Sequence, residues 1–246
     1  MSNIVIIPAY NEEKNIKEIV LRTKRAGYLP LVVDDSSTDK TSEIAKKHGA
    51  IVLRHEINMG KGIGLNTAFN YILKNLPKVK YIAILDADLQ YLPEDLPKLF
   101  SPLEKNEADY VTGYRNWKTV PLRHRIGNFV WRTTFNIIFN TRFKDTNCGF
   151  IAMNRKAMKV LLNSTQGGYI IENMMMIDAM RNNLRIKQVP VRVFYYDVRD
   201  IPTGIRYVLG NLIYIIQTGL RLKYGIEIRL YRQLERLKWI FTKATD

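Results

Sequence analysis

The sequence predicts an α/β protein: a mostly parallel sheet with helices on both sides, followed by C-terminal amphipathic helices. Three observations predict it. Short apolar runs alternate with helical periodicities through most of the chain, the pattern of strands and helices that builds a parallel sheet. The runs at 4–8, 31–33 and 81–85 are apolar without alternation, as strands covered on both faces are. Each run gives way to polar residues: Tyr10, Asn11 and Glu12; then Asp34, Asp35 and Asp39; then Asp86, Asp88 and Gln90. In an open α/β sheet, ligands collect beyond the carboxyl ends of the strands.

The elements follow in order. After the first strand, Ile16, Ile19 and Val20 share one helical face, with Asn11 as the expected cap, Glu12 and Glu13 at the positive end and Gly27 as the stop. A strand at 31–33 leads through the Asp34 cluster to a helix ending at Gly49, and a third strand lies at 51–53. Gly60, Lys61 and Gly62 open a helix that buries Leu65, Ala68, Phe69, Ile72 and Leu73; the opening is either a tight turn or a place where backbone N–H groups approach an anion. A helix follows Pro93, and a strand at 110–114 ends at Arg115. Arg123, His124 and Arg125 introduce a helix with a broad apolar side from Ile126 to Ile138. A short strand ends at Met153, a helix starts near Arg155, and the methionines of 168–180 read as core filling. Pro190 marks 186–193 as an edge strand. From Ile205, Val208, Leu209, Leu212, Ile213, Ile216 and Leu220 form one stripe, and a second basic helical pattern follows Gly225 and carries Trp239. We divide the chain into a domain at 1–203 and an amphipathic appendage at 204–246, suited to a membrane interface or, alternatively, to packing on the core or a second subunit.

A chain of 246 residues can bury one substantial core. Its composition is ordinary, but a formal charge of +15 favours an anionic partner: a nucleotide, a nucleic acid or an acidic lipid surface. The single cysteine, Cys148, excludes an internal disulfide framework and suits a reducing compartment; it reads as a buried structural thiol. No signal peptide and no run of ~20 apolar residues is visible. His48, His55 and His124 lack metal-ligand spacing and read as surface or loop residues. Alternate residues of an extended chain point the same way, so Asp86 and Asp88, with Gln90 one step on, can converge on one hard cation, Mg²⁺ or Mn²⁺. A polar strand end with an Asp turn is the bland alternative.

Taken together in order, Pro8-Ala9-Tyr10-Asn11-Glu12, Val32-Val33-Asp34-Asp35-Ser36-Ser37 with Asp39, Asn58 with Gly60-Lys61-Gly62, Asp86-Ala87-Asp88 with Gln90, and the stretches 113–115 and 145–150 resemble the family 2 glycosyltransferases. Within that family the chain resembles the dolichyl- or polyprenyl-phosphate sugar transferases, over about residues 3–200. The resemblance implies a GT-A fold, a nucleotide-sugar donor, a divalent metal and inversion at the anomeric carbon. It places Pro8, Ala9, Tyr10, Glu12, Val33 and Asp35 around the base and ribose, and Asp86 and Ala87 near the ribose and diphosphate. Lys61 joins this donor-binding set, and Asp88 and Gln90 are the firmest metal ligands. Arg115 and Arg125 match arginines near the donor or acceptor phosphate, and Arg199 and Arg206 match basic residues after the last strand. Asp145 would orient an arginine or the acceptor, and Glu172 a sugar hydroxyl or an arginine.

The expected reaction is transfer of a hexose from a GDP- or UDP-sugar to a dolichyl or polyprenyl phosphate, at the cytoplasmic face of an anionic membrane, by a peripheral protein. One alternative is a family 2 transferase acting on a glycan or soluble hydroxyl acceptor. The other is a basic nucleic-acid-binding protein, disfavoured because the aromatics are not gathered with arginines into a stacking platform.

Overall fold

The computed structural model describes residues 3–117, 120, 122–165, 171–195 and 201–225, with side chains outside 122–124, 165, 201–208 and 211. The chain divides into two compact units, one of Met1–Val120 with Asn147–Tyr196 and one of Pro121–Thr146 with Asp197–Asp246. The boundary at 203 read from the sequence rests on amphipathic character and stays a proposal.

In the first unit, β1 (Ile4–Ala9), α1 (Ile16–Arg25), β2 (Leu29–Asp34), α2 (Thr41–Lys47), β3 (Ile51–Arg54), α3 (Lys61–Asn75) and β4 (Tyr81–Ile84) alternate as the sequence predicts. A 3-10 turn at Pro93–Asp95 leads into α4 (Leu96–Glu104), then β5 (Tyr110–Arg115). After residue 147 come β6 (Ile151–Asn154), α6 (Arg155–Leu161), α7 (Ile171–Arg181) and β7 (Ile186–Val191). The seven strands lie in the order β3-β2-β1-β4-β6-β5-β7, so the Pro190 strand is indeed at an edge. All pairings are parallel except those of β6, which runs antiparallel to β4 and β5. Reversal of that strand brings its entry, Asn147 to Gly149, to the edge where β4 and β5 end.

Strand alternation sorts the core into two layers. Val5, Ile7, Val32, Ala83, Leu85 and Ala152 pack with Ile16, Ile19, Leu96, Leu99 and Phe100 of α1 and α4. Ile4, Ile6, Leu31, Val33, Ile82, Ile84 and Met153 pack with Leu65, Phe69 and Ile72 of α3 and with Met158 and Met175 of α6 and α7. Both faces are dry, which is why the strands read as continuous apolar runs. Met175 and Met176 are buried, in keeping with a core-filling role.

Asn11 is not the cap of α1. It stands in the left-handed region at φ 54°, and the helix begins after Asn15. Its amide oxygen instead accepts the Thr38 N–H at 2.9 Å, because a short polar side chain at a left-handed position serves a neighbouring turn better than a helix five residues away.

The second unit contains α5 (Leu122–Phe139) and α8 (Ile201–Tyr224), which pack on each other. Gly219 of α8 lies against Ile138, where any side chain would collide. Phe135 is buried beside Phe139 and Phe143, with ring centroids 4.7 and 6.0 Å away. The α8 helix begins four residues before the expected Ile205, since Pro202 is tolerated in a first turn whose N–H groups have no helical partner. Ile126, Phe129, Val130 and Ile137 of α5 and Leu209, Ile216 and Leu222 of α8 are exposed. No helix among the described residues is long and apolar enough to cross a membrane. The basic pattern after Gly225 lies outside the described residues.

Candidate active site

The ends of β1 and β2 are interlocked by hydrogen bonds. Asn11 N–H donates to Ser37 Oγ at 2.9 Å, Glu12 N–H to Thr41 Oγ1 at 2.8 Å and Glu13 N–H to Asp39 Oδ2 at 3.0 Å. Asp34, fully buried, accepts the Ser37 N–H and the Ser42 hydroxyl. Asp35 accepts the N–H groups of Met59 at 2.9 Å and Gly60 at 2.7 Å, pinning the loop that opens α3. The Gly60 N–H is therefore given to a carboxylate of the chain itself. Beside these turns Tyr10 is 49% exposed, a ring face open at the strand end.

Beyond β4 the chain delivers Asp86 and Asp88. Lys61 Nζ lies 2.7 Å from Asp86 Oδ1 and 3.0 Å from Glu172 Oε1, so one ammonium joins α3, the end of β4 and the start of α7. Burial opposes that charge, yet the two carboxylates hold the Lys61 ammonium above its usual pKa range. Asp88 accepts the Gln90 N–H at 3.0 Å. Burial, then the negative charges of Asp86 and Glu12, push the Asp88 carboxyl up to about 6. Glu12 is also raised, chiefly by burial and further by Asp39 and Asp86, against a lowering hydrogen bond from Asn15. Gly149, at the entry to β6, has room for no side chain: a Cβ there would sit 2.8 Å from Asp86 Oδ2 and 3.3 Å from Lys61 Nζ.

Asn11, Ser36 and Leu89 adopt φ of 54°, 67° and 59°. These left-handed turns follow β1, β2 and β4 in turn, each at a cost of order 1 kcal/mol. Arg115, at the end of β5, is nearly buried, donates to the Asn147 carbonyl at 3.2 Å and lies 5.2 Å from the centre of the Trp117 ring.

No group of three or more His, Cys, Asp or Glu among the described residues forms a ready-made metal cage. What the residues do present is a cluster of partly buried carboxyls with raised pKa values, the deficit of positive charge that a hard cation offsets. The carboxylates of Asp86 and Asp88 have the donor chemistry that fits a Mg²⁺ or Mn²⁺, since an ion held by one or two carboxylates takes its other oxygens from substrate phosphates and water.

Residues 4–162, the stretch that builds this strand-end cluster, match the family model described as glycosyl transferase family 2. The chain belongs to glycosyl transferase family 2.

Relatives in the family include an uncharacterised protein of Methanocaldococcus jannaschii, 36% identical over 78% of this chain and 81% of that protein. A UDP-N-acetylglucosamine–dolichyl-phosphate N-acetylglucosaminyltransferase of Methanococcus voltae is 28% identical over 85% of this chain and 92% of that protein. Among solved structures, glucosyl-3-phosphoglycerate synthase of Mycobacterium tuberculosis, in complex with Mn²⁺, UDP-glucose and phosphoglyceric acid, matches with a TM-score of 0.73. That match has 21% identity and covers 93% of this chain and 82% of the other. The fold of this family 2 transferase is accordingly GT-A-like.

Within the first unit of the transferase, Pro8, Ala9, Tyr10, Glu12, Asp35, Lys61, Asp86, Ala87, Asp88 and Gln90 all fall at the strand ends or the start of α3. Val33 is buried under α3 beside Gly64, with its side chain in the core layer. Arg125 and Asp145 belong to the second unit, where Arg125 is exposed and Asp145 is 1% exposed. Arg206 lies on α8 without a described side chain, and Arg199 lies outside the described residues. Glu172 meets a lysine where the sequence suggests an arginine or a sugar hydroxyl. His55 is no simple loop residue: its ring is 11% exposed and hydrogen-bonded at both nitrogens. Sequence spacing carries no signal for either contact, because the partners come from other elements.

Proposed function

We propose that the protein transfers a hexose from a GDP- or UDP-sugar to a dolichyl or polyprenyl phosphate, with inversion and with a requirement for Mg²⁺ or Mn²⁺. The observation that carries this reading is the cluster of Glu12, Asp86 and Asp88 at the ends of β1 and β4, where burial and mutual repulsion raise the Glu12 and Asp88 carboxyls although Lys61 meets Asp86. Support for the acceptor comes from the dolichyl-phosphate transferase of Methanococcus voltae, matched along nearly its whole length.

On this reading Pro8, Ala9, Tyr10, Glu12 and Asp35 bind the nucleoside, with Tyr10 offering a ring face to the base. Asp86, Asp88 and Gln90 hold the cation, which when bound supplies Lewis-acid neutralisation of the departing diphosphate. Arg115, its guanidinium fixed by Trp117 and the Asn147 carbonyl, offsets the charge of a phosphate. The resemblance of the sequence assigns phosphate binding to Arg125, Arg199 and Arg206 as well, and the orienting of an arginine or the acceptor to Asp145. A phosphate monoester has a second pKa of about 6, so at neutral pH its oxygen is already anionic and attacks without a side-chain general base.

The second unit supplies the membrane part of the proposal. Its helices combine the exposed apolar residues of α5 and α8 with exposed Arg125, Arg221 and Lys223, the mixture that suits a helix lying in an anionic interface. On this reading the transferase is a peripheral protein of the cytoplasmic membrane face.

The test incubates the protein with a short-chain polyprenyl phosphate and a panel of GDP- and UDP-sugars, with and without Mn²⁺, and looks for a lipid-phosphate sugar by mass. Product that requires the metal is the expected result. Product only on hydroxyl acceptors would instead establish the second reading, a glycan or soluble-acceptor transferase. That reading is favoured by a Haloferax volcanii relative named as a low-salt glycan biosynthesis hexosyltransferase, 32% identical over 85% of this chain and 52% of that protein.

A further inference from the structure

His55 follows β3, and its backbone N–H donates to the Asp34 carbonyl at 2.9 Å, so the residue is fixed at the strand end before its ring is considered. The ring then bridges two elements. Its Nδ1 lies 2.8 Å from Asp35 Oδ1 and its Nε2 lies 2.9 Å from Thr67 Oγ1 on α3. A carboxylate only accepts, which puts a ring proton on Nδ1; in the neutral ring Nε2 then accepts from the Thr67 hydroxyl. Asp35 Oδ1 thus receives His55 and the Met59 N–H, while Oδ2 receives the Gly60 N–H. With about four lone-pair directions on a carboxylate, one acceptor position remains, on Oδ2.

We infer that His55 is a positioning residue for the donor nucleotide: with Thr67 it locks the Asp35 carboxylate so that its one open lone pair faces a donor group of the nucleoside. The inference rests on the proposed nucleotide-sugar reading. Asp35 sits where β2 meets β1, its N–H bonded to the Ala9 carbonyl at 2.9 Å, next to exposed Tyr10. It also holds Gly60, whose φ of +84° starts the turn into α3 directly before Lys61. One ring therefore ties the nucleoside end of the site to the loop that carries the lysine facing Asp86. Without the ring, Asp35 keeps one backbone donor on each oxygen but loses the side-chain contact that fixes its tilt, and the open lone pair is less sharply directed. The residue touches no reacting atom, so its contribution belongs to binding and not to the chemical step.

The experiment titrates UDP and GDP, each with Mn²⁺, into the wild-type protein and into His55→Leu, His55→Asn, Thr67→Val and Thr67→Ser by calorimetry. Asparagine keeps an N–H where Nδ1 stood, and serine keeps the hydroxyl; leucine and valine keep the bulk alone. His55→Leu and Thr67→Val are expected to weaken the preferred nucleotide roughly tenfold, the scale of losing a hydrogen-bonded partner behind a ligand group. They should raise KM for the nucleotide sugar while leaving kcat within about twofold. His55→Asn and Thr67→Ser should restore most of the loss. Nitrogen-15 spectra of the histidine rings should show one ring with its proton on Nδ1. A ring protonated on Nε2 alone, or variants that bind as tightly as wild type, would overturn the inference while leaving the proposed function standing. If all four variants lose binding together with melting temperature, His55 is structural only and the inference fails. A wild-type protein that binds neither nucleotide would overturn the proposed function itself.

Discussion

At the end of β2, Asp34, Asp35 and Asp39 place their oxygens on Ser37, Ser42, His55, Met59, Gly60, Thr41 and Glu13. Burial works against the Asp39 charge, but the Thr41 hydroxyl and N–H and the Glu13 N–H outweigh it and hold that carboxyl below its usual range. Two strands away, Asp88 has the Gln90 N–H and the repulsion of Asp86 and Glu12, and its pKa is pushed up to about 6. These acids share one sheet edge and similar sequence settings, yet one group is completed by the fold and the other is left short of positive charge. The first kind builds a rigid seat. The second kind is built to receive something from outside.

The largest effect should come from breaking the incomplete group. Asp88→Asn should lower turnover at least about 100-fold with an unchanged circular dichroism spectrum, because an amide is a poor ligand for a hard cation and the charge that recruits it is gone. Activity retained at wild-type level and with wild-type metal dependence would remove Asp88 from the site. Next, Gly149→Ala forces a methyl against Asp86 and Lys61. Displacing Asp86 by part of an ångström should cost activity roughly tenfold, read as kcat/KM at saturating metal.

The matching change in the completed group should act on stability instead. Asp34→Asn leaves the Ser37 N–H or the Ser42 hydroxyl facing an amide in a fully buried position and should destabilise the fold by about 1–3 kcal/mol in urea denaturation. Equal losses of activity and stability from Asp34→Asn and Asp88→Asn would erase the distinction between the groups.

The smallest effect concerns pH and a carboxylate far from the site. Asp109 receives Arg185 through its backbone N–H and its guanidinium, which together with Asn154 hold the carboxyl well below its usual range against burial. A depressed folded-state pKa means stability that is present above the unfolded value of ~3.9 and lost as pH falls below it. Melting temperature should therefore drop below about pH 4, and Asp109→Asn should lower stability at pH 7 by about 1–2 kcal/mol while flattening that drop. A wild-type melting temperature unchanged between pH 5 and pH 3 would refute the linkage.

The difference between the groups also explains what could be read from the chain alone. Asp86 and Asp88 were legible because a buried strand and the acids that end it are adjacent in sequence, and the apolar run fixes which way the chain is heading. The sheet, its two faces and the edge position of the Pro190 strand followed from period and punctuation in the same way. Lys61 facing Glu172 was not legible: the residues are brought together by α3 and α7, and neither lies in a local pattern that names the other. His55 was missed for the same reason, since its meaning lies in Asp35 and Thr67. The Asn11 cap failed because a cap and a left-handed turn draw on the same short polar side chains, and the hydrogen bonds offered across the strand ends decided between them.

The reversed strand β6 also means that the strand-end cluster is completed from a late part of the chain. β4 pairs with β1 through Ile82 and Ile4 and with β6 through Ile84 and Ile151, each closing a long stretch of chain at an entropic cost that contacts between nearby segments avoid. Asp86 and Asp88 thus emerge from a ribosome well before Gly149 and Glu172, which border them in the folded protein. The nascent amino-terminal half therefore carries both acids before the residues that pack beside Asp86 and Lys61 in the folded protein have been made.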